Sequence, residues 1–153
     1  INIDAQDFVA DNYVIISNNY NHMNQNTSFD KINKARIVNG KIGEEYVYEH
    51  ILELTNNYIE DVLHTSLKYP TSPYDIEYVE NGIKKYIEVK STSGTKEIFN
   101  MSSGEIKFMK KYKDNYILIL VTEVNSAFPK IKRFTCEQIL SLRQEYPSIR
   151  FYG

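Results

Sequence analysis

Residues 74–91 constrain the fold more strongly than any other stretch of the chain. Two runs rich in β-branched and aromatic residues flank Asn81-Gly82, and Asn-Gly is the dipeptide that most favours a two-residue turn between antiparallel strands. Side chains alternate between the two faces of a strand, so Glu88 and Lys90 share one face of the second run. We therefore predict a β-hairpin that presents a carboxylate and an ammonium side by side.

Asp75 lies near the start of the first run of this hairpin. An antiparallel partner could bring it to the same end of the hairpin as Glu88. Two carboxylates and the amine of Lys90, held on rigid strands, can bind a divalent cation and position a water molecule. A Glu-x-Lys pattern by itself is more often a solvated strand face, so the rest of the chain has to support such a site.

Composition limits the classes of protein that the chain can belong to. Its 153 residues suit one domain with a sizeable core. The net charge of −2 argues modestly against a DNA-binding protein that acts alone, and less against a nuclease domain, because metal-binding carboxylates lower the net charge. Cys136 is the only cysteine of the sequence, which excludes an internal disulfide and a cysteine-based zinc site.

Nothing in the sequence resembles a signal peptide, and the longest apolar run, residues 116–121, is too short to cross a bilayer. We therefore expect a cytoplasmic protein with no membrane partner. The first residue is Ile1 rather than methionine, which favours an origin in a larger, multidomain protein. Residues 1–27 are interpreted as a linker or extension, and residues 28–153 as the domain.

Helical spacing of apolar residues predicts a helix from residue 31 to about residue 55. Gly40 and Gly43 interrupt the pattern, and each costs a helix interior about 1 kcal/mol relative to alanine. They indicate either a break near Asn39-Gly40 or the close approach of another backbone. After this helix we predict a strand over 58–69, the hairpin, a short strand over 97–101, a helix over 103–112, a buried strand over 115–123, a short basic strand or loop over 129–134 and a last helix over 136–145.

Four short motifs follow one another along these elements. They are Gly40-Lys-Ile-Gly43-Glu44, Tyr74-Asp75-Ile76, Ile87-Glu88-Val89-Lys90 and an acid, Glu105, at the start of the next helix. With these motifs the chain resembles the C-terminal domain of NO VEIN-type proteins, a branch of the PD-(D/E)XK nucleases, over about residues 39–124. The resemblance implies an α/β (α+β) fold with a restriction-endonuclease-like αβββαβ core, in which helices flank a mixed central sheet, and the predicted element order agrees with it.

The resemblance also implies a phosphodiesterase site. Asp75 and Glu88 would bind Mg²⁺ or Mn²⁺ with the backbone carbonyl of Val89, and Glu44 would reach the metal directly or through water. Lys90 would orient or deprotonate the attacking water. Burial should lower the pKa of Lys90 and nearby carboxylates should raise it, and the sequence leaves open which prevails.

Two further features of the next helix have alternative interpretations. Glu105 is either a helix cap or a residue that supports the site from just outside it. Lys107, Lys110 and Lys111 give the helix a basic face. A solvated surface is the commoner explanation of such a face, and contact with DNA phosphates is the more specific one.

The function that the resemblance implies is a magnesium-dependent DNA endonuclease domain, of a restriction, anti-phage defence or DNA-processing protein. Its partners would be DNA and further domains of the same protein or complex, and a homodimer is one option. The alternative is an inactive module that keeps the fold and binds nucleic acid or another protein. A structural or oligomerisation domain, with the acids as solvated surface, is the third hypothesis. The presence of the full set of Glu44, Asp75, Glu88 and Lys90 favours the first.

Overall fold

A computed structural model of the chain describes residues 25–55 and 58–145. The predicted extension therefore lies almost wholly outside the described residues, as does the chain after residue 145. The first described helix already begins at Gln25, earlier than the residue-31 start that the apolar spacing indicated.

Helices and strands alternate along the described chain in nearly the predicted order. In sequence they are α1 (Gln25–Glu49), α2 (Ile51–Leu54), β1 (Ile59–His64), α3 (Thr65–Lys68), β2 (Ile76–Glu80), β3 (Ile83–Ser91), α4 (Ser103–Tyr112), a 3₁₀ turn (Lys113–Asn115), β4 (Tyr116–Thr122), β5 (Lys130–Thr135) and α5 (Cys136–Ser141). Because β5 is a strand, residues 129–134 form the predicted short basic strand rather than the alternative loop.

The strands form one five-stranded sheet in the order β1-β2-β3-β4-β5. β3 and β4 pair in parallel, and the other neighbours pair antiparallel. The parallel pair requires a crossover, which α4 supplies. The mixed sheet with helices against it confirms the predicted α/β (α+β) fold class.

The β2–β3 hairpin has the predicted two-residue turn. Glu80 pairs with Ile83 across it, and φ is +51° at Asn81 and +76° at Gly82. Positive φ at both central residues is the geometry of a type I′ turn, which matches the twist of the strands it joins. The register of the hairpin, and hence the positions of Glu88 and Lys90, follows from this turn.

Apolar side chains cover both faces of the sheet, so its central strands are buried on both sides. On one face α1 and α2 bury Val47 and Ile51 against β2, β3 and β4. On the other face α4 and α5 bury Met109 and Ile139 against β4 and β5. The continuous apolar run of β4 serves both cores, as expected for a strand that is covered on two sides.

The predicted break near Asn39-Gly40 is wrong, because α1 continues through both glycines. Of the two interpretations of the glycines, close approach holds at Gly43, where a Cβ would lie 1.7 Å from Ser91 Oγ and 2.9 Å from Ser91 Cβ. A Cβ at Gly40 would meet nothing within 4 Å. The missing Cβ of Gly43 therefore lets α1 lie directly on the end of β3.

Three other element predictions need correction. Residues 97–101 form no strand; Phe99 and Met101 are buried in the core beside α4 without strand pairing. The strand predicted over 58–69 ends at His64 and gives way to the short helix α3. The last helix ends at Ser141 rather than at residue 145.

None of the helices in the described parts of the chain combines the length and apolar character that a membrane-spanning helix needs.

Candidate functional site

Asp75 is held against β3 from two directions. Its backbone N–H donates to the carbonyl of Ile87 at 2.9 Å, and its carboxylate accepts the N–H of Val89 at 2.8 Å. Asp75 therefore lies just before β2 rather than inside it, at the same end of the hairpin as Glu88. Burial and then the negative charge of Glu44 raise the pKa of Asp75 to about 7, although Val89 N–H and Lys90 lower it.

Glu88 and Lys90 lie on one face of β3, as the alternation predicted. Glu88 is only 5 % exposed, and the Lys90 ammonium is 2.8 Å from its carboxylate. Burial raises the pKa of Glu88 well above its usual range, since the attraction of Lys90 is opposed by the charges of Asp75 and Glu105. The site thus contains two acids, the half-buried Asp75 and the buried Glu88, whose charged forms are disfavoured.

Glu105 is both a helix cap and a partner of Lys90. Its carboxylate accepts the backbone N–H of Ser102, whose hydroxyl accepts the Glu105 N–H, which closes a capping box at the start of α4. Both oxygens of the same carboxylate are 3.0 Å from the Lys90 ammonium. Glu105 is therefore a helix cap whose carboxylate also contacts Lys90, and its support of a functional site stays a prediction.

Two opposing effects act on the pKa of Lys90. Burial opposes its positive charge, but the carboxylates of Glu88 and Glu105 outweigh burial and raise the pKa above its ordinary value. Lys90 is therefore an ammonium at neutral pH, a form that donates hydrogen bonds and offsets negative charge but does not accept a proton.

An aromatic cluster fixes α4 against the hairpin and so fixes Glu105 beside Lys90. The ring of Phe108 lies 5.0 Å from that of Tyr74 and 5.1 Å from that of Tyr86, measured between centroids. Tyr112 adds a contact of 4.7 Å to Tyr86. Such ring pairs contribute about 0.5–1.5 kcal/mol each beyond burial of area.

Glu44 reaches the site from α1 by a separate set of contacts. Its carboxylate accepts the hydroxyl of Ser66 at 2.7 Å and lies 3.1 Å from His64 Nε2. The backbone N–H of Ser66 donates to the carbonyl of Asp75 at 3.1 Å. Ser66, rather than Lys90, therefore holds Glu44 next to Asp75. The negative charge of Glu44 raises the pKa of Asp75.

No sequence pattern indicates the contacts that His64 and Ser66 make with Glu44. His64 stacks on Tyr48, with ring centroids 5.2 Å apart, and its contact with Glu44 spans 20 residues of chain. The three histidines of the sequence, His22, His50 and His64, show no ligand spacing. The neighbouring strand is irregular, with a register shift between Glu60 and Leu63, and no local pattern predicts where such a strand ends.

Tyr116 is a third residue that no sequence pattern singles out. It is buried at the start of β4, and its hydroxyl lacks a hydrogen-bond partner among the described residues. Burial and the charges of Glu88, Glu105 and Asp75 raise the pKa of Tyr116 above its usual value. Its hydroxyl therefore stays protonated beneath the carboxylates.

Lys107, Lys110 and Lys111 are all exposed on α4. The Lys111 ammonium lies 5.2 Å from the centroid of the Tyr112 ring. The first turn of the same helix contacts Lys90 through Glu105. Contact of these lysines with DNA stays a prediction.

The donor set suits a divalent cation chemically, although it is not a complete cage. Among the described residues, no group of three or more His, Cys, Asp or Glu side chains is arranged to hold a metal ion. Mg²⁺ needs only one or two carboxylates because it keeps several waters. The raised pKa values of Asp75 and Glu88 fit this ion, since a nearby cation would favour both charged forms. The assignments of Val89 carbonyl and Glu44 as ligands stay predictions.

Comparison with known proteins gives one match. The family model described as "Protein NO VEIN, C-terminal" matches residues 43–134. This range begins at Gly43 and contains all five charged residues of the site, Glu44, Asp75, Glu88, Lys90 and Glu105. No curated protein and no solved structure matches the chain.

Proposed function

The chain belongs to the NO VEIN C-terminal family, and from that premise we propose that it is a magnesium- or manganese-dependent endonuclease domain of the PD-(D/E)XK type that hydrolyses phosphodiester bonds of DNA. One observation carries the proposal. The Lys90 ammonium contacts both the buried Glu88 and Glu105, next to the half-buried carboxylate of Asp75. A solvated strand face would not bury Glu88 or raise the pKa of Asp75.

Each side chain has a distinct role in this proposal. Asp75 and Glu88 would hold the cation, and the hydrogen bond from Val89 N–H keeps the Asp75 carboxylate at a fixed distance from β3. When bound, the cation would make water a usable nucleophile near neutral pH and stabilise charge on the phosphate. Water would attack the phosphorus in line, and the bond to O3′ would break.

Lys90 is best suited to orient the attacking water and to offset charge on the phosphate. Its pKa is raised above the ordinary value, so it carries no lone pair with which to deprotonate water at neutral pH. Of the two roles that the sequence suggested for Lys90, the contacts with Glu88 and Glu105 support orientation and charge compensation. Glu105 holds the ammonium in place as a positioning residue.

The wider setting of the activity belongs to the same proposal. DNA is the proposed partner, with Lys107, Lys110 and Lys111 on α4 as phosphate contacts. The family resemblance further favours a protein of restriction, anti-phage defence or DNA processing, with additional domains or a second copy of the chain supplying DNA affinity. A cytoplasmic location stays an expectation. The net charge of −2 is in keeping with such help.

The test is a cleavage assay on plasmid and single-stranded DNA with Mg²⁺ or Mn²⁺, and with EDTA. Asp75→Asn, Glu88→Gln and Lys90→Met should each abolish cleavage, and EDTA should do the same to the wild type. Glu53→Gln, which removes an exposed acid outside the site, is the control and should leave cleavage unchanged. Cleavage that survives in the three site variants would contradict the proposal.

The alternative function is an inactive module that binds nucleic acid or protein. The absence of a group of three potential metal ligands among the described residues is the observation that favours it. Under this alternative the wild type binds DNA in EDTA and cleaves neither substrate with either metal.

A further inference from the structure

A cleft of about 360 Å³ opens on the side of Lys90 that faces the first half of α1. Its other wall is the segment that follows β3. Seven polar residues line it, namely Arg36, Asn39, Lys90, Ser91, Thr92, Ser93 and Asn100. The volume lies at the lower end of the range of about 300–1,000 Å³ that is typical of small-ligand sites.

The lining of the cleft favours an anionic ligand. Two basic side chains, Arg36 and Lys90, contribute to it, and no aspartate or glutamate is among the described residues that line it. This contrasts with the chain as a whole, whose net charge is −2. The guanidinium of arginine presents several N–H donors in a plane that matches a phosphate group.

The lining also has an apolar part, which includes Ile98 and Phe99. A site for a free phosphate needs only charge and hydrogen-bond donors. A site that adds an apolar wall suits a phosphate that carries a sugar and a base. The mixed lining therefore indicates a nucleotide rather than an inorganic ion.

The polar wall of the cleft is fixed before any ligand binds. The N–H of Thr92 donates to the carbonyl of Val121 at 2.9 Å, and the carbonyl of Thr92 accepts the N–H of Val124 at 3.1 Å. Opposite it, Asn39 accepts the side-chain amide of Asn125 at 2.9 Å, so its own NH₂ group is oriented as a donor. A preformed wall lowers the entropy cost of binding.

We propose that this cleft binds one unpaired nucleotide of the DNA strand, next to the phosphate that is cleaved. The inference rests on the proposed nuclease function, and it names the substrate class. A base that enters the cleft must leave its pairing partner, which costs energy in a continuous duplex, so single strands, flaps and frayed ends should bind better.

Binding is measured in EDTA by fluorescence anisotropy, with a labelled single-stranded oligonucleotide and the same strand in a duplex. Arg36→Ala should weaken single-strand binding about ten-fold, the usual effect of losing a charge-assisted hydrogen bond. Lys34→Ala, an exposed lysine on the same helix that does not line the cleft, is the matched control and should change binding about two-fold or less. Equal losses in both variants, or tighter binding of the duplex, would overturn the proposal.

Two further measurements distinguish binding of a whole nucleotide from binding of its phosphate alone, and a blocked cleft from a misfolded protein. Deoxyadenosine monophosphate should compete with the oligonucleotide at lower concentration than inorganic phosphate, and equal competition would overturn the nucleotide assignment. Ala35→Leu fills the cleft from an exposed helix position with another good helix former, so it should block binding without loss of the thermal transition. Unchanged binding in Ala35→Leu would also contradict the proposal.

The binding measurement and the cleavage assay fail independently. Since EDTA prevents metal-dependent cleavage, single-strand binding that depends on Arg36 would stand even if the chain cleaved nothing with Mg²⁺. Conversely, cleavage of duplex plasmid that is unaffected by Arg36→Ala would support the nuclease function and contradict the cleft proposal.

Discussion

The hydroxyl of Ser66 donates a 2.7 Å hydrogen bond to the carboxylate of Glu44, although 22 residues of chain separate them. The backbone N–H of Ser66 donates at the same time to the carbonyl of Asp75. One small residue therefore fixes the relative position of two acids that come from different elements. In the proposed nuclease this makes Ser66 a positioning residue.

Ser66→Ala should lower kcat for DNA cleavage about ten-fold or more while KM changes little, because a misplaced acid affects the reaction geometry more than substrate binding. The free energy of unfolding should fall by only about 1 kcal/mol, the net value of one hydrogen bond. Steady-state cleavage and urea unfolding measure the two effects.

The control for Ser66 is Thr71→Ala, an exposed hydroxyl in the same segment, which should leave both kcat and stability unchanged. If Ser66→Ala lost the expected stability but kept its full kcat, the residue would be structural only.

Lys90→Met should destabilise the fold by about 3–5 kcal/mol, because it leaves the buried carboxylate of Glu88 without its counter-charge. The loss should be larger at pH 9 than at pH 5, since the raised pKa of Glu88 keeps the acid neutral at low pH. Urea unfolding at the two pH values measures it. Lys107→Met, at an exposed position of α4, should cost about 0.5 kcal/mol or less, and an equal loss at both pH values for Lys90→Met would speak against the buried charge pair.

Asp75→Asn should reduce the decline of stability with rising pH. The pKa of Asp75 rises from 3.8 to about 7 on folding, so the folded state binds more protons than the unfolded state between these values. Stability is therefore lost as the pH rises from about 4 to about 7. In EDTA the variant should be more stable than the wild type at pH 8 and no more stable at pH 4.

Mg²⁺ provides the control for the Asp75 prediction. At pH 8 the ion should raise the Tm of the wild type, because it favours the charged acid, and it should leave the Tm of Asp75→Asn nearly unchanged. If the stability of the wild type and of Asp75→Asn changed with pH in parallel in EDTA, Asp75 would not be the acid that makes stability decline as the pH rises.

Local chemistry accounts for what the sequence could predict of this site. The Asn81-Gly82 turn sets the hairpin register, and strand alternation then places Glu88 and Lys90 on one face. The position of Asp75 can also be predicted, because antiparallel pairing brings it to the same end of the hairpin as Glu88. Each of these steps depends on residues that are close in sequence or joined by one tight turn.

The remainder of the site depends on contacts between distant residues. The position of Glu44 is set by His64, the last residue of β1, and by Ser66 just after it. The regular pairing of β1 is disturbed near Asp61, where φ is +51°. For residues 97–101 the apolar spacing predicts a strand that the structure does not contain. Phe99 instead packs on Phe134, with ring centroids 5.5 Å apart, so side-chain burial alone accounts for the pattern.

The two glycines of α1 offer a matched pair of substitutions. Gly40→Ala should stabilise the fold by about 0.5–1 kcal/mol, because alanine is the better helix former and its Cβ would meet nothing within 4 Å. Gly43→Ala gains the same helix propensity but places its Cβ 2.9 Å from Ser91 Cβ and closer still to the hydroxyl oxygen. It should destabilise by about 1–3 kcal/mol, the usual cost of overpacking.

The contact with Ser91 can be separated from any other effect at Gly43 by a double-mutant cycle. Ser91→Gly removes both atoms that the new methyl group would strike, so it should recover most of the stability that Gly43→Ala loses. Because Ser91 follows Lys90 directly, displacement of β3 by Gly43→Ala should also lower cleavage, and the double variant should recover it in part. Additive losses of stability in the cycle would show that α1 and the end of β3 are not in contact.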